Sequence, residues 1–540
     1  MQTNTGTPLA HRRRPLSPFR LFRPFRPLRP FPFCRPANVA RASSPCDATQ
    51  SRPLRFGILK FGIFLGFGIL GLSGFSLHSE GISAAPAAVT LTVDTQRPAQ
   101  QLLGFGASGC WWTQDVGGWP DAPRREMMRL LYDKKDGIGL TIYRHNLGAD
   151  TYYDTTIGKA GSLRRTESML DTKTGLFDWS RDANARRMMR DAVDAGAEQV
   201  ILFVNSPPVS MTVNGHGRCT KNPEGKPPAS NLAPGRYADF AAYLGEITEH
   251  FLRVDKLPVV AVSPINEPGH PWDKDKQEGC FYTPQQAAGV LKAVLAEFKR
   301  RGLPVRIEPT ESESWKAALA YYEAINREPD LPLTDYCVHS YASGPDSKQK
   351  LRAWFDKNLA GARLHMSEWC EMQQKPGGDA RFMANGALQM ARVMIEDLTI
   401  GHASTWQYWR IGGVFKSHDG LIYYDSATHK FEPTKLYWVL GQFSRYMTKG
   451  SVVLPVTAQA PADQFRAMAA RLPDGRVAVV CVNLSEKAIP LDIKFPKNEP
   501  WRQQLRTFTD DKHNNTNANA AADANTLPAK SVVTAIFQQE

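Results

Sequence analysis

Val259-Val260-Ala261-Val262-Ser263-Pro264-Ile265-Asn266-Glu267-Pro268 is the stretch that decides how this chain folds. A short apolar run with no polar alternation reads as a strand buried on both faces. It leads straight into a turn that carries a carboxylate. Helical pattern lies on either side. Tyr237–Val254 sets Phe240, Leu244, Ile247 and Phe251 at helical spacing. Downstream, Thr283-Pro284-Gln285-Gln286 starts a helix, with Thr283 as N-cap and Pro284 in the first turn.

The same alternation recurs outward in both directions. Strands are expected at Leu103–Ala107, Leu140–Asn146, Gln199–Asn205, Val259–Asn266, Val305–Pro309, Tyr336–Tyr341, Arg363–Glu368 and Ala403–Trp409. Further helical patterns begin near Pro123, Asp182, Ser314, Ser347 and Asp379. This is an α/β chain. Eight consecutive strand–helix units predict a (β/α)8 barrel over residues 101–448; a doubly wound sheet shares the alternation but fits eight units in a row less well.

Beyond Lys449 the texture changes. Ser451–Val456, Gln464–Arg471, Val477–Asn483, Ala488–Lys494, Gln503–Thr509 and Ser531–Gln538 read as short strands between Pro-Asp-Gly, Ser-Glu-Lys and Asn-rich turns. Residues 449–540 are therefore expected to form a β-sandwich. The strand Val89-Thr90-Leu91-Thr92-Val93, in segment 89–100, precedes the barrel and is expected to join that sandwich, so both chain ends would build it.

The net charge of +13 and pI of 9.3 suggest a polyanion partner, but their distribution argues otherwise. Residues 1–60 contain twelve Arg or Lys and one acid, Asp47, so they hold +11 of that charge. Nucleic-acid binding is not expected of the near-neutral remainder. Residues 1–88 form a leader of three parts. Arg, Pro and Phe repeat over residues 12–36 without helical or strand period. Phe61–Leu77 is uncharged and apolar, and the small residues Ser83-Ala84-Ala85-Pro86-Ala87-Ala88 follow. A basic region, an apolar core and an A-x-A-like site predict export, to the periplasm or outside the cell. The basic region is long for that purpose. Either the start codon is assigned too early, or the segment is retained as a membrane anchor. Without a retained anchor, no stable membrane association is expected.

Eight cysteines are present, of which Cys34 and Cys46 belong to the leader. Cys219 and Cys280 both sit in polar loops after the third and fourth strands. Export permits a disulfide between them, and that is the favoured reading; the other is two independent thiols. No Cys/His spacing suggests zinc, and neither a metal nor an organic cofactor is expected.

Glu267 ends the fourth strand and Glu368, in Leu364-His365-Met366-Ser367-Glu368-Trp369, ends the seventh. In a parallel barrel these strand ends form the rim where catalysis is built, and the two positions face each other across the mouth. Paired rim carboxylates suit glycoside cleavage. At a separation of about 5 Å they suit the retaining route, with Glu368 as nucleophile and Glu267 as acid/base. A single such Glu would read as a solvated strand end; the pair is what points to chemistry. Trp111, Trp112, Trp272, Trp369, Trp406, Tyr408 and Trp409 gather near the same rim. Sugar C–H faces stack on such rings, although core packing is the common use of any one.

Taken in order, Gly104-Phe105-Gly106-Ala107-Ser108, Tyr143-Arg144, Asn205-Ser206-Pro207-Pro208 with Asn214-Gly215, Asn266-Glu267-Pro268, His339-Ser340-Tyr341 and Ser367-Glu368-Trp369 resemble glycoside hydrolase family 30. The resemblance spans about residues 89–540. It implies a barrel with a sandwich made from both chain ends, and retention of configuration. It also implies roles. Asn266 would bind the sugar 2-hydroxyl, Tyr341 would donate to Glu368, and Arg144 would lie under Glu368 and keep it ionised. His339 shares a strand face with Tyr341. Glu267 would owe its raised pKa to the neighbouring nucleophile. Trp409 and Trp112 are the expected sugar-stacking rings. The Gln277-Glu278-Gly279-Cys280 segment and Cys110-Trp111-Trp112 look most like the endo-β-1,6-galactanase branch. A glucosylceramidase or β-1,6-glucanase of the same family is the alternative, and a non-catalytic carbohydrate-binding protein is the alternative of another class. The expected partner in each case is a polysaccharide or oligosaccharide, or a glycolipid for the glucosylceramidase. One departure stands out: Val209-Ser210-Met211 follows Pro208 where many relatives carry Trp.

Overall fold

The computed structural model describes residues 88–540, apart from 223–225, 227–228, 373–377, 415–418 and 519–524. The leader and the readings made on it lie outside the described residues. Among the described residues no helix is long and apolar enough to cross a membrane.

Eight parallel strands form one sheet: β1 (Gly104–Ser108), β2 (Ile142–Asn146), β3 (Gln199–Phe203), β4 (Val259–Ser263), β5 (Arg306–Ile307), β6 (Asp335–His339), β7 (Arg363–Trp369) and β8 (Thr405–Tyr408). Their order is β5-β4-β3-β2-β1-β8-β7-β6. The gap between β5 and β6 is closed by a parallel bridge from Ser312 to Val338, with His339 N donating to Ser312 O at 2.8 Å. The sheet is therefore a barrel. Nearly every strand residue is buried, as expected of strands covered by side chains inside and helices outside. Each strand ends at the same rim.

Sequence and structure agree on helix starts where a cap is written. Thr283 accepts from Gln286 N at 3.2 Å, and Gln286 reciprocates in a capping box that opens Pro284–Arg301. Ser314 caps Trp315–Asn326 more simply, its hydroxyl accepting from Ala317 N at 3.2 Å. The helix expected near Ser347 starts at Pro345, after Gly344. The helix expected near Asp379 runs regularly only over Leu388–Thr399. A kinked turn at Met383–Ala387 precedes it, in which Gly386 takes φ +110°.

The sandwich has two sheets. One runs Val452–Leu454, Phe465–Arg471, Val477–Asn483, Ser531–Gln539, Trp501–Thr509 and Thr516–Asn517; the other runs Val456–Ala458, Val89–Val93, Ile489–Lys494 and Thr526–Leu527. Val89–Val93 pairs parallel with Ile489–Lys494 and antiparallel with Val456–Ala458, so the sandwich is built from both ends of the described chain. The expected single strand Ser451–Val456 is two strands in different sheets. Pro455 separates them, because a residue without N–H cannot continue a ladder, and its carbonyl instead accepts from Asp94 N at 2.9 Å.

Two elements between barrel and sandwich are not foreseen from the sequence: a small sheet, Gly412–Val414, Ile422–Asp425 and Lys430–Pro433, and the helix Lys435–Ser444. That helix is buried nearly all round. Its Leu440 and Phe443 share one apolar core with Val480, Val532 and Ile536 of the sandwich. Gln442 pins the contact. Its Oε1 accepts from Thr507 at 3.1 Å and Thr534 at 2.7 Å, and its Nε2 donates to Thr509 at 3.0 Å.

Candidate active site

Glu267 follows β4 in a tight turn. Its φ of +40° lies in the left-handed region, which costs a non-glycine residue about 1–2 kcal/mol. The turn is over-determined. Glu267 N donates to Glu311 O at 2.7 Å, and its carbonyl accepts from Trp272 Nε1 at 3.0 Å. Trp272 in turn lies flat on Gly279, where a Cβ would sit 2.1 Å from the indole. Only glycine fits there, so the Gln277–Cys280 segment backs the turn that presents Glu267.

Glu368 is the penultimate residue of β7. The β6–β7 register pairs Met366 with Val338 and Glu368 with His339, so Ser367 is an extra residue. Such a bulge re-aims the side chain that follows it. Glu368 Oε2 accepts from Arg144 Nη1 at 2.6 Å and Oε1 from Tyr341 OH at 3.0 Å. Arg144, fully buried on β2, also grips Glu311 at 2.6 Å and Asn266 Oδ1 at 3.3 Å, and lies over the Phe203 ring.

His339 lies between the two carboxylates. Its Nδ1 is 3.0 Å from Glu267 Oε1 and its Nε2 is 3.6 Å from Glu368 Oε2. It is completely buried, and burial lowers its pKa, against which the charges of Glu368 and Glu311 act. His339 thus contacts the glutamates from behind rather than lining the cavity. Glu267, His339 and Glu368 bring ligand atoms within 4.8 Å of one another. A metal ion could use such a spacing, but the fixed positive charge of Arg144 beside Glu368 disfavours one.

The electrostatics separate the two acids. Burial, then the nearby Glu313 carboxylate, pushes Glu267 up to about 8. The expectation that the nucleophile supplies this shift is corrected: desolvation leads and Glu313 follows. Burial also raises Glu368, but His339 and Arg144 oppose it. At neutral pH the proton of the pair therefore sits on Glu267.

A cavity of about 340 Å³ opens over the pair, with Trp111, Trp409, Asn266, Tyr341, Glu313 and Gln277 in its wall. Trp111 and Trp409 meet edge to face at 5.4 Å. Trp112, expected as a stacking ring, is not part of that wall. It is 2% exposed, donates to Ser108 O at 3.2 Å and packs on Gly412. The chain turns between the two indoles, so Trp111 faces the cavity and Trp112 the core. Glu311 and Glu313 were not singled out from the sequence, because β5 is only two residues long and gives them no strand to end. An adjoining cavity of about 520 Å³ shares Tyr341, Cys370 and Met372 with the first.

Cys219 and Cys280 are both buried, within hydrogen-bonding reach of each other as thiols. Phe281 N donates to Cys219 Sγ at 3.3 Å.

A parallel barrel with paired rim glutamates, one of them protonated, under an aromatic wall defines an O-glycoside hydrolase. The sequence matches the profile of O-Glycosyl hydrolase family 30 over residues 88–330 and that of the Glycosyl hydrolase family 30 beta sandwich domain over residues 450–535. It is 26% identical to an endo-beta-1,6-galactanase of Hypocrea rufa, over 80% of this chain and 92% of that one. In fold it is similar to a conserved exported protein from Bacteroides fragilis, with TM-score 0.72 and 21% identity over 83% of this chain and all of that one. It is also similar to the catalytic domain of GH30 xylanase C from Talaromyces cellulolyticus, with TM-score 0.65 and 17% identity over 83% and 100%. An endo-beta1,6-glucanase shares the fold at TM-score 0.61 and 15% identity, over 84% of this chain and 95% of that one. The chain belongs to glycoside hydrolase family 30.

Proposed function

We propose that the protein is a retaining endo-β-1,6-galactanase in which Glu368 is the nucleophile and Glu267 the acid/base. The observation that carries the mechanism is the spacing: carboxyl oxygens of the two residues lie within 4.8 Å of each other. Retaining enzymes hold their carboxyl groups about 5–5.5 Å apart, whereas inverting enzymes leave room for a water at about 6.5–9.5 Å. Glu368 attacks the anomeric carbon as Glu267 passes its proton to the leaving oxygen. The glycosidic C–O bond breaks and a glycosyl ester forms. Glu267, now ionised, takes a proton from water, which attacks the same carbon and releases Glu368. Asn266 Oδ1 faces Arg144, which leaves its amide N–H groups for the 2-hydroxyl. Tyr341 and Arg144 bind the two oxygens of Glu368, one of which becomes the ester oxygen and the other its carbonyl.

The galactan assignment is supported by the Hypocrea rufa relative and by the wall. The axial 4-hydroxyl of galactose gathers the C–H bonds of C3, C4 and C5 on one face, and Trp111 and Trp409 offer that face two rings. The adjoining cavity supports internal cleavage, since a chain can continue past Tyr341. The apolar run and small-residue site of the leader support export. The test is product analysis on de-arabinosylated arabinogalactan, β-1,6-glucan, xylan and glucosylceramide, with the first-formed anomer read by NMR. Short β-anomeric galacto-oligosaccharides are expected. Faster turnover of any other substrate removes the galactanase assignment, and a first-formed α-anomer removes the retaining mechanism.

A further inference from the structure

Arg144 is one positive charge between two carboxylates. Its Nη1 lies 2.6 Å from Glu368 and its Nη2 2.6 Å from Glu311. Glu368 lines the catalytic cavity. Glu311 does not, and it is completely buried, as is Arg144. Substrate can therefore reach one member of the triad and not the other two. The backbone of Glu311 is tied to the turn that presents Glu267. Its N–H donates to Ile265 O at 3.0 Å, and its carbonyl accepts from Glu267 N at 2.7 Å.

The charge of this triad changes along the double displacement. In the free enzyme two carboxylates face one guanidinium, so one negative charge is in excess. Glu368 then attacks the anomeric carbon. A C–O bond forms to its carboxylate oxygen and the glycosidic C–O bond breaks. The bonding pair leaves with the departing oxygen, which takes the proton of Glu267. Glu368 is now a neutral ester. Without Glu311, Arg144 would be a buried cation lacking any counter-charge, and such a group is strongly disfavoured. It would also lie beneath an anomeric carbon that turns positive in the transition state, where like charges repel. Glu311 keeps its charge through every step.

No neighbour can take its place. The charged and titratable groups around Glu311 are Arg144 on β2, Glu267 after β4, Glu308 on its own segment, Cys337 and His339 on β6, and Glu368 on β7. Of these, Arg144 is the one permanent cation. Glu308 is the other completely buried carboxylate, and it is held by Arg306 at 3.0 Å.

We propose that Glu311 is a positioning residue that serves as the permanent counter-ion of Arg144, holding its charge while Glu368 is tied up as an ester and so keeping that charge from opposing the cation at the anomeric carbon. This deepens the mechanism proposed above and rests on Glu368 being its nucleophile. It has a pH signature. Burial raises the pKa of Glu368, His339 and Arg144 lower it, and the charges of Glu267 and Glu311 add to burial. Removing the charge of Glu311 leaves Arg144 wholly to Glu368, whose pKa falls. The acid limb of kcat/KM follows ionisation of Glu368, so it should move to lower pH. A merely structural loss lowers the rate at every pH and leaves the limb in place.

The test uses the full chain and a dinitrophenyl glycoside of the sugar that the wild type cleaves best, which is β-1,6-galactobiose on the galactanase reading. This leaving group needs little protonation, so the rate reports attack by Glu368. Glu311→Gln is expected to lower kcat/KM by about a hundredfold or more and to shift the acid limb to lower pH. Glu311→Asp keeps the charge and should keep the limb in place, with clearly more activity than Glu311→Gln. In an Arg144→Gln background, Glu311→Gln removes a repulsion and should not lower kcat/KM further. An unmoved limb in Glu311→Gln overturns the proposal. So does an equal fall in both backgrounds, or Glu311→Asp no more active than Glu311→Gln. If Glu311→Gln does not fold, urea unfolding decides. Arg144→Gln with Glu311→Gln should be at least as stable as Arg144→Gln alone, and lower stability overturns the proposal. Labelling the wild type with the 2-deoxy-2-fluoro form of the same glycoside, followed by peptide mapping, keeps the two readings apart. A label on Glu368 with an unmoved limb overturns the role of Glu311 alone. A label on another residue overturns the assignment of the nucleophile, and the role of Glu311 with it.

Discussion

Glu313 acts on Glu267 without touching it, and that gives the site a testable pH signature. Glu267 works in its protonated form, so the rate should fall as pH rises through about 8. Glu313→Gln removes a negative charge that favours the protonated form. The pKa of Glu267 then drops, and the alkaline limb of kcat/KM should move to lower pH; a limb that stays in place would mean burial alone sets the shift. Glu368→Gln keeps the shape of the side chain but cannot form the ester. Turnover should fall by about a thousandfold or more with the protein still folded, and a variant retaining several per cent of the rate would exclude Glu368 as nucleophile. Glu267 and Glu368 could be singled out in the sequence because each follows a strand whose apolar run is unmistakable, whereas Asn266, Arg144 and Tyr341 entered through the resemblance of their motifs to the family. Trp111 and Trp112 were not distinguishable. Adjacent residues in a turn differ in direction by backbone geometry that composition does not record.

At the scale of elements, the same logic separates what could be read from what could not. Buried parallel strands and capped helices announce themselves, as with Val259–Ser263 and Thr283. The helix Lys435–Ser444 does not, because burial on all sides leaves no polar stripe to give it a period. The bulge at Ser367 is equally silent, although it sets the direction of Glu368. The loops bearing Cys219 and Cys280 are joined by backbone as well, since Gly279 N donates to Gly217 O at 2.9 Å. Non-reducing peptide mapping of exported protein should recover the two cysteines in one linked pair. Alkylation of both without prior reduction would instead leave the loops held by Gly217–Gly279 and the packing of Trp272 alone.

At the scale of the whole molecule, barrel and sandwich behave as one body because an apolar core runs between them and Gln442 is satisfied from the far side. Gln442→Ala removes the buried side-chain hydrogen bonds to Thr507, Thr509 and Thr534 and leaves a cavity between the two domains, while each hydroxyl keeps one other partner. A loss of about 1–3 kcal/mol in urea unfolding is expected, with kcat unchanged, because no atom of the rim moves. An unaltered midpoint would mean the apolar contact alone joins the two. The sandwich also imposes an order of events. Val89–Val93 finds its parallel partner in Ile489–Lys494, about 400 residues later in the chain. At synthesis rates of about 5–20 residues per second, this apolar strand is made some 20–80 s before its mate. Synthesis thus delivers an unpaired β-edge early and its complement late, so for that interval the strand is an exposed template for wrong pairing.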